Sequence, residues 1–483
     1  MQINWSHHSA LEESAILAFS QHVLLVFVDA LPASMPFQTA LENKLKRSQS
    51  ALKDIADKPV TVELSNGALV SLVQLKSTQS VFELQTLLRQ AVKPLTDERP
   101  AKLAIAIDGK SPQAIARQAA YVAVVNAQDL PALKRKTKLN ALKDICMFGV
   151  DAMPWLVEVE ATAAANTLCR TLTLTPPNQQ TPKLYRERLQ SLATAQDWQY
   201  TEWNVEQLKA MGAGAFVAVA QGSEPQDAAI AKLSYRHAQA SKTLALVGKG
   251  ICFDTGGHNL KSSKYMQGMH QDMNGSAVAV GILQAISAQQ LAVNVDCWLA
   301  LAQNHIGPNA YKQNDVVTAL NGMNIEIVHT DAEGRMVLAD TLTLASRDKP
   351  DAMLDFATLT GSMQTALGTR MSGIVANRPE FATQMVSAGL ASGERLVAFP
   401  YAEDYDSELD SEIADIKQCT LESDADHIIA ARFLGKFIEE DISWCHVDLS
   451  SYAHKDGLGA IASEVNGFGV ALTLQWLKDF LAK

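Results

Sequence analysis

No two cysteines stand at C-x-x-C spacing. The six, Cys146, Cys169, Cys252, Cys297, Cys419 and Cys445, are scattered through 483 residues. That excludes a disulfide framework and a cysteine zinc cage and favours a reducing, cytoplasmic home. Positive charge is scarce as well: 41 Lys+Arg face 52 Asp+Glu, a formal net charge of −11. A surface of that sign repels phosphate backbones and anionic lipid, so nucleic acid is not an expected partner. Residues 1–165 hold 17 basic and 16 acidic side chains, which puts the acidity in the C-terminal two-thirds. Apolar runs such as HVLLVFVDA stop far short of the roughly 20 residues a membrane helix needs. The start, MQINWSHHSALEESAIL, lacks a basic n-region and an apolar h-region, so neither secretion nor membrane spanning is expected. Internal repeats and low-complexity tracts are missing too.

What is present is apolar material for a large core, with 47% hydrophobic against 19% charged residues. At roughly 150 residues per domain, the length suggests two or three domains. In the first third, HVLLVFV (22–28), TVELSNGALVSLVQL (61–75, a hairpin) and AKLAIAI (101–107) alternate with helical patterns such as PQAIARQAAYVAVVNAQ. This is the pattern of an α/β domain. The basic run KRKTK (134–138) has no interleaved aromatic and reads as a solvated helix face. A helical stretch, ANTLCRTL, and then the breaker cluster TPPNQQTP put a boundary near residue 165. Beyond it, TLALVG, AVNVDCWLAL and AMLDFATL alternate with helices such as GSAVAVGILQAISAQQ and GRMVLADTLTLAS. The expected architecture is two α/β domains, 1–165 and 166–483, the larger built on a mixed central sheet flanked by helices.

Polar residues gather at three strand-to-helix transitions of the second domain. GKGICFDTGG (248–257) places Lys249 and Asp254 in a glycine-rich loop, but its spacing fits neither a P-loop nor a dinucleotide fingerprint. GLGAIA (457–462) fits the latter, yet it follows a polar stretch rather than a strand and reads as a turn. KSSKYMQGMHQDMNG (261–275) carries Lys261 and Asp272, and HTDAEGR (329–335) carries Asp331, Glu333 and Arg335. Asp272 alone reads as a helix cap, and HTDAEGR alone as a capping carboxylate with solvated neighbours. Together, Asp254, Asp272, Asp331 and Glu333 lie where ligands bind in open α/β sheets, and their mutual repulsion would be cancelled by two divalent cations. Such a metal pair activates water against an amide or a phosphate. Oxygen-rich ligation favours manganese, zinc, magnesium or cobalt.

GKGICFDTGG, the Lys-to-Asp spacing of KSSKYMQGMHQD and above all TDAEGRMVLAD resemble the leucyl aminopeptidase (cytosol aminopeptidase) family of dinuclear metal exopeptidases. The resemblance spans about residues 166–483, with DFATLTG and WCHVDL among its weaker supports. It implies that Lys249, Asp254, Asp272, Asp331 and Glu333 bind two metal ions, Lys249 as a neutral amine. It makes Lys261 the oxyanion stabiliser and gives Arg335 a bicarbonate that relays protons. It places Met269, Thr358 and Gly361 at an apolar pocket for the first side chain. The implied substrate is a peptide with a free N-terminus, and the implied assembly is a homohexamer. The residues alone leave open a metal-dependent phosphoesterase, and the resemblance leaves open a DNA-binding regulator on the same scaffold.

All seven chemical positions are present, but three departures adjoin them. His329 replaces the usual Asn at a position that the resemblance sets beside the pocket for the second residue, where it either shapes that pocket or only packs beside Thr330; MNGSA replaces MGGAA after Asp272, and ESDADH (422–427) replaces a glycine-rich stretch. His258, His270 and His329 lie beside a ligand set that is already sufficient, so they are read as neighbours of the metals rather than ligands.

Overall fold

The computed structural model describes residues 3–32, 34–51, 55, 58–109, 112–224, 226–422 and 424–482. It divides into two units: Met1–Thr167 with Leu390–Gly393 and Lys455–Asn466, and Leu168–Gly389 with Glu394–His454 and Gly467–Lys483. The division falls within the helix Leu156–Leu174, so ANTLCRTL continues a helix already under way. The TPPNQQTP cluster ends it, and Pro182 then opens a new helix capped by Thr181.

In the first unit the strands are β1 (Asn4–His8), β2 (His22–Val28), β3 (Val60–Glu63), β4 (Leu69–Leu75), β5 (Lys102–Asp108) and β6 (Asp144–Phe148). They form one sheet in the order β1-β6-β5-β2-β4-β3, parallel except for the expected β3–β4 hairpin. Alternate residues of β2 feed two cores, as the period of a strand requires. Leu24, Val26 and Val28 pack with the helices Val81–Asp97 and Pro112–Asn126. Val23, Leu25 and Phe27 pack with Leu41 and Leu45 of the helix Gln38–Arg47. The KRKTK run is exposed loop rather than a helix face, because Pro131 and the charged run give the segment no apolar stripe to bury. GLGAIA is a turn, closed by reciprocal backbone bonds between Leu458 and Ile461.

The strands of the second unit are β7 (Gln199–Asn204), β8 (Ala229–Tyr235), β9 (Thr243–Asp254), β10 (Asn294–Asn304), β11 (Val316–Thr318), β12 (Asn324–Glu326), β13 (Ala352–Ala357), β14 (Ser372–Ala376), β15 (Leu396–Phe399), β16 (Ile416–Lys417) and β17 (Trp444–Asp448). Eight form a mixed sheet, β15-β14-β17-β13-β9-β10-β8-β7, whose centre, β17 to β10, is parallel. The other three form a small sheet, β11-β12-β16. The expected two α/β domains and mixed central sheet are both present. One local expectation fails: GKGICFD is strand, not loop, since β9 runs through to Asp254. Its glycines serve close packing instead. A Cβ on Gly248 would lie 2.5 Å from Ser276 Cα, and one on Gly250 would lie 2.6 Å from Leu301 Cδ2. Among the described residues no helix is long and apolar enough to cross a membrane, and all six cysteines are free and buried.

Candidate active site

Parallel strands β9 and β10 end side by side at Asp254 and Asn304, while β13 ends beside Gly248, and the chemistry sits between these ends. Lys249 and Asp254 lie five residues apart on β9, which in a regular strand would aim them at opposite faces. The β9–β10 register slips between Ile251–Ala302 and Asp254–Asn304, setting an extra residue on β9. That bulge brings Asp254 onto the face of Lys249. Positive φ at Gly256 and Gly257 then turns the chain towards Lys261, whose N–H donates to Thr255 O at 2.9 Å.

The helix-capping alternatives do not hold. Asp272 follows the one-turn helix Met269–Gln271, and its side chain does not cap the helix Asn274–Ala288. Glu333 opens the helix Glu333–Arg347, which also lacks a side-chain cap, while Asp331 ends the loop that leaves the β11–β12 hairpin. All four carboxylates turn towards the two lysines. Lys249 Nζ lies 2.9 Å from Asp272 Oδ1, 2.9 Å from Glu333 Oε1 and 2.9 Å from Thr358 O. Lys261 Nζ lies 2.8 Å from Asp254 Oδ2 and 2.5 Å from Asp331 Oδ1. Oxygens of Asp254, Asp272 and Glu333 converge within 4.8 Å of one another, with no histidine in the group.

Two ammonium groups against four carboxylates leave this buried cluster with an excess of negative charge. Burial, with Glu333 and Asp254 nearby and Lys249 opposing, pushes the Asp272 carboxyl up to about 8. Burial and the same like charges push Asp331 up to about 7, and Glu333 is raised for the same reasons. Burial works against the Lys249 ammonium, but Asp272, Glu333 and Asp254 outweigh it and hold the group above its ordinary value. The cluster therefore retains protons for want of other positive charge. Its oxygens are also incompletely satisfied. Asp272 Oδ2 is 2.8 Å from Lys249 Nζ and Asp331 Oδ1 faces Lys261, yet both lie off the angles of a hydrogen bond. Convergent, under-bonded carboxylate oxygens with surplus negative charge fit divalent cations.

Several contributors escaped the sequence reading. Asn304, fully buried at the end of β10, donates Nδ2 to Asp254 Oδ1 at 2.8 Å and to Thr330 O at 3.0 Å. It ties the β9 carboxylate to the TDAEGR loop. Asn259 and Thr330 exchange bonds of 2.8 Å in both directions, and Tyr311 donates to Thr330 O at 2.7 Å. Only strand register reveals Asn304, which pairs with Asp254 across fifty residues of sequence. Of the expected pocket residues, Thr358 touches the cluster through its carbonyl and through its hydroxyl, 2.6 Å from Asp272 Oδ1. Met269 O accepts the Asp272 N–H at 3.4 Å, and Gly361 opens the exposed start of the helix Gly361–Leu367. His329 accepts the Asp331 N–H on Nδ1 at 3.3 Å, and burial, Lys261 and Arg335 lower its pKa. Arg335, also buried, gives Nη2 to both oxygens of Asp426 at 2.9 Å and Nη1 to Gln418 O at 3.3 Å.

Residues 167–474 match the model of the cytosol aminopeptidase family, catalytic domain. The chain belongs to the cytosol aminopeptidase family. The probable cytosol aminopeptidase of Rickettsia canadensis (strain McKiel) is 35% identical over 321 residues, 66% of this chain and 64% of that relative. The cytosol aminopeptidase of Rickettsia prowazekii (strain Madrid E) is 34% identical over 355 residues, 71% of each chain. The match thus spans slightly less than two thirds of the first of these family members. Among solved structures, the bottromycin maturation enzyme BotP in complex with Mn superposes with a TM-score of 0.82 at 27% identity, over 95% of this chain and 100% of that one.

Proposed function

We propose that the protein is a metal-dependent aminopeptidase that removes the first residue from peptides with a free N-terminus. The observation that carries this reading is the convergence of Asp254, Asp272 and Glu333 with Lys249 on one face of the sheet ends. Lys249, Asp254, Asp272, Asp331 and Glu333 would hold two divalent ions, which supply polarisation of the scissile carbonyl and an activated water when bound. Manganese is the preferred identity, supported by the hard oxygen donors and by the Mn in the BotP structure, with zinc, magnesium and cobalt as the other candidates. Lys261 meets charge that develops on the carbonyl oxygen in the transition state. Asp272 receives the substrate's α-amino group. Met269, Thr358 and Gly361 line the pocket for the first side chain, and His329 borders that for the second. Arg335 is the residue that the family resemblance gives to bicarbonate, and in this chain Asp426 already occupies its Nη2.

All seven chemical positions lie in the second unit and the family model begins at residue 167, which supports a non-catalytic residue 1–165 domain with an oligomeric or regulatory role. We extend the reading to a cytoplasmic location, supported by six free cysteines and the family, and to a homohexamer, supported by the resemblance alone. Hydrolysis of amino-acid p-nitroanilides tests the activity. Leu p-nitroanilide is cleaved with manganese added, not with chelator, and its N-acetylated form is not cleaved. Equal cleavage of the acetylated form removes the aminopeptidase reading.

A further inference from the structure

ESDADH replaces a glycine-rich stretch of the family pattern, and Asp426 within it meets Arg335. Ser423 lies outside the described residues. Asp426 is the first residue of the helix Asp426–Gly435, a position where an acid usually faces solvent and favours the helix dipole. Here its carboxylate reaches across to another helix and gives both oxygens to Nη2 of a guanidinium only 3% exposed. The local backbone is built for this. Ala425 takes a left-handed φ of 53°, uncommon for a residue with a Cβ. His427 then clamps the helix start, its N–H donating to Ser362 Oγ at 2.9 Å and its Nδ1 lying 3.0 Å from the same hydroxyl. Gln418 O takes Nη1, and Nε is buried with no partner among the described residues. An exchangeable oxyanion arriving at Nε would share one guanidinium with a carboxylate, and the two like charges would repel.

We propose that Asp426 is the resident anion of this site: a positioning residue that holds Arg335 in place of an exchangeable oxyanion, so that the enzyme neither needs nor binds bicarbonate. This rests on the aminopeptidase reading. A carboxylate supplied by the chain is present at full occupancy and oriented by the Ser362–His427 clamp, whereas a free anion must be captured from solution.

The test uses the metal-loaded full chain in carbonate-free buffer. The parent hydrolyses Leu p-nitroanilide at a rate that bicarbonate leaves unchanged, and it does not broaden the NMR line of 13C-labelled bicarbonate. Asp426→Ala loses about 10- to 100-fold in kcat, the range seen when a partner orienting a site residue is removed. It recovers activity with added bicarbonate or formate, and it broadens the bicarbonate line. Asp426→Asn fills the same space without charge, loses activity and is not rescued. Bicarbonate stimulation or line broadening in the parent overturns the proposal, and so does an Asp426→Ala enzyme with parental activity or one that no anion rescues. If neither the parent nor any variant cleaves any substrate, the aminopeptidase reading fails while the line-broadening arm still decides the anion. If Asp426→Ala does not fold, line broadening by the parent overturns the proposal and its absence supports it.

Discussion

Stripped of cations, the protein loses stability as pH rises through neutrality, and replacing a carboxylate in the site reduces that loss. The carboxyl of Asp272 titrates near 8 and that of Asp331 near 7 in the metal-free fold, both from an ordinary 3.8. With the folded values raised, the native state binds more protons than the unfolded chain between pH 4 and 8. The contribution of these two groups is therefore full below about pH 4 and is lost as pH rises towards the folded values. One pH unit per retained proton corresponds to about 1.4 kcal/mol. From pH 6 to 8 Asp272 alone would contribute about 2 kcal/mol and Asp331 about 1. Both face the same like charges, Glu333 and Asp254, and do not titrate independently, so the combined effect is about 2–4 kcal/mol, a melting shift of several degrees. Lys249 does not reverse the sign, because its raised value keeps it charged in both states across this range. Calorimetry of chelated protein at pH 6 and 8 gives the slope, and Asp272→Asn isolates the site from other titrating groups. The Asn variant, with one negative charge fewer in the cluster, melts higher than the parent at pH 8 without metal and has no activity with it. Manganese stabilises the parent more at pH 8 than at pH 6, since ions and protons compete for the same oxygens. A chelated parent as stable at pH 8 as at pH 6, with an unchanged slope in Asp272→Asn, would refute the electrostatic argument.

Lys261→Ala lowers kcat by orders of magnitude with little change in KM and keeps its metal if, as proposed, the ammonium acts on transition-state charge; a variant whose loss lies wholly in KM removes that role. His329→Asn changes the ranking of second residues among Leu-X dipeptides and leaves the first-residue preference alone, and an identical ranking in the two enzymes eliminates the pocket role. Behind the site, Asp355 pairs with His446 at 2.6 Å and accepts from Trp444 Nε1 at 2.7 Å, all three fully buried. Asp355→Asn leaves that imidazole without its countercharge and lowers unfolding stability by about 3–5 kcal/mol in a urea titration. Burial opposes the His446 charge, but Asp355 raises its pKa on balance. The pair's contribution is therefore full below the ordinary imidazole value of about 6.5 and is lost as pH rises past the folded one.

Local chemistry was legible in the sequence where it is written contiguously. TDAEGR packs two carboxylates and a guanidinium into five residues, and the structure sets Glu333 and Arg335 in the first turn of one buried helix with Asp331 in the loop just before it. The alternation of apolar runs and helices likewise predicted both sheets, since that pattern has few other ways to bury itself. What stayed hidden depends on register and tertiary reach. No local signal says that β9 carries a bulge, so Lys249 and Asp254 read as a loop. Asn304 is an ordinary strand-end residue until pairing sets it against Asp254. ESDADH was visible as a departure, but its meaning came from Arg335, ninety-one residues away.

The central claim is that Asp254, Asp272, Asp331, Glu333 and Lys249 form a two-cation centre, and metal counting after exhaustive dialysis tests it most directly. Elemental analysis of the manganese-loaded parent should find two tightly bound ions per chain. Glu333→Ala should hold fewer and lose hydrolysis by orders of magnitude, because a buried oxygen donor shared by the cluster is gone. Two tightly retained ions in Glu333→Ala, or none in an active parent, would contradict the account.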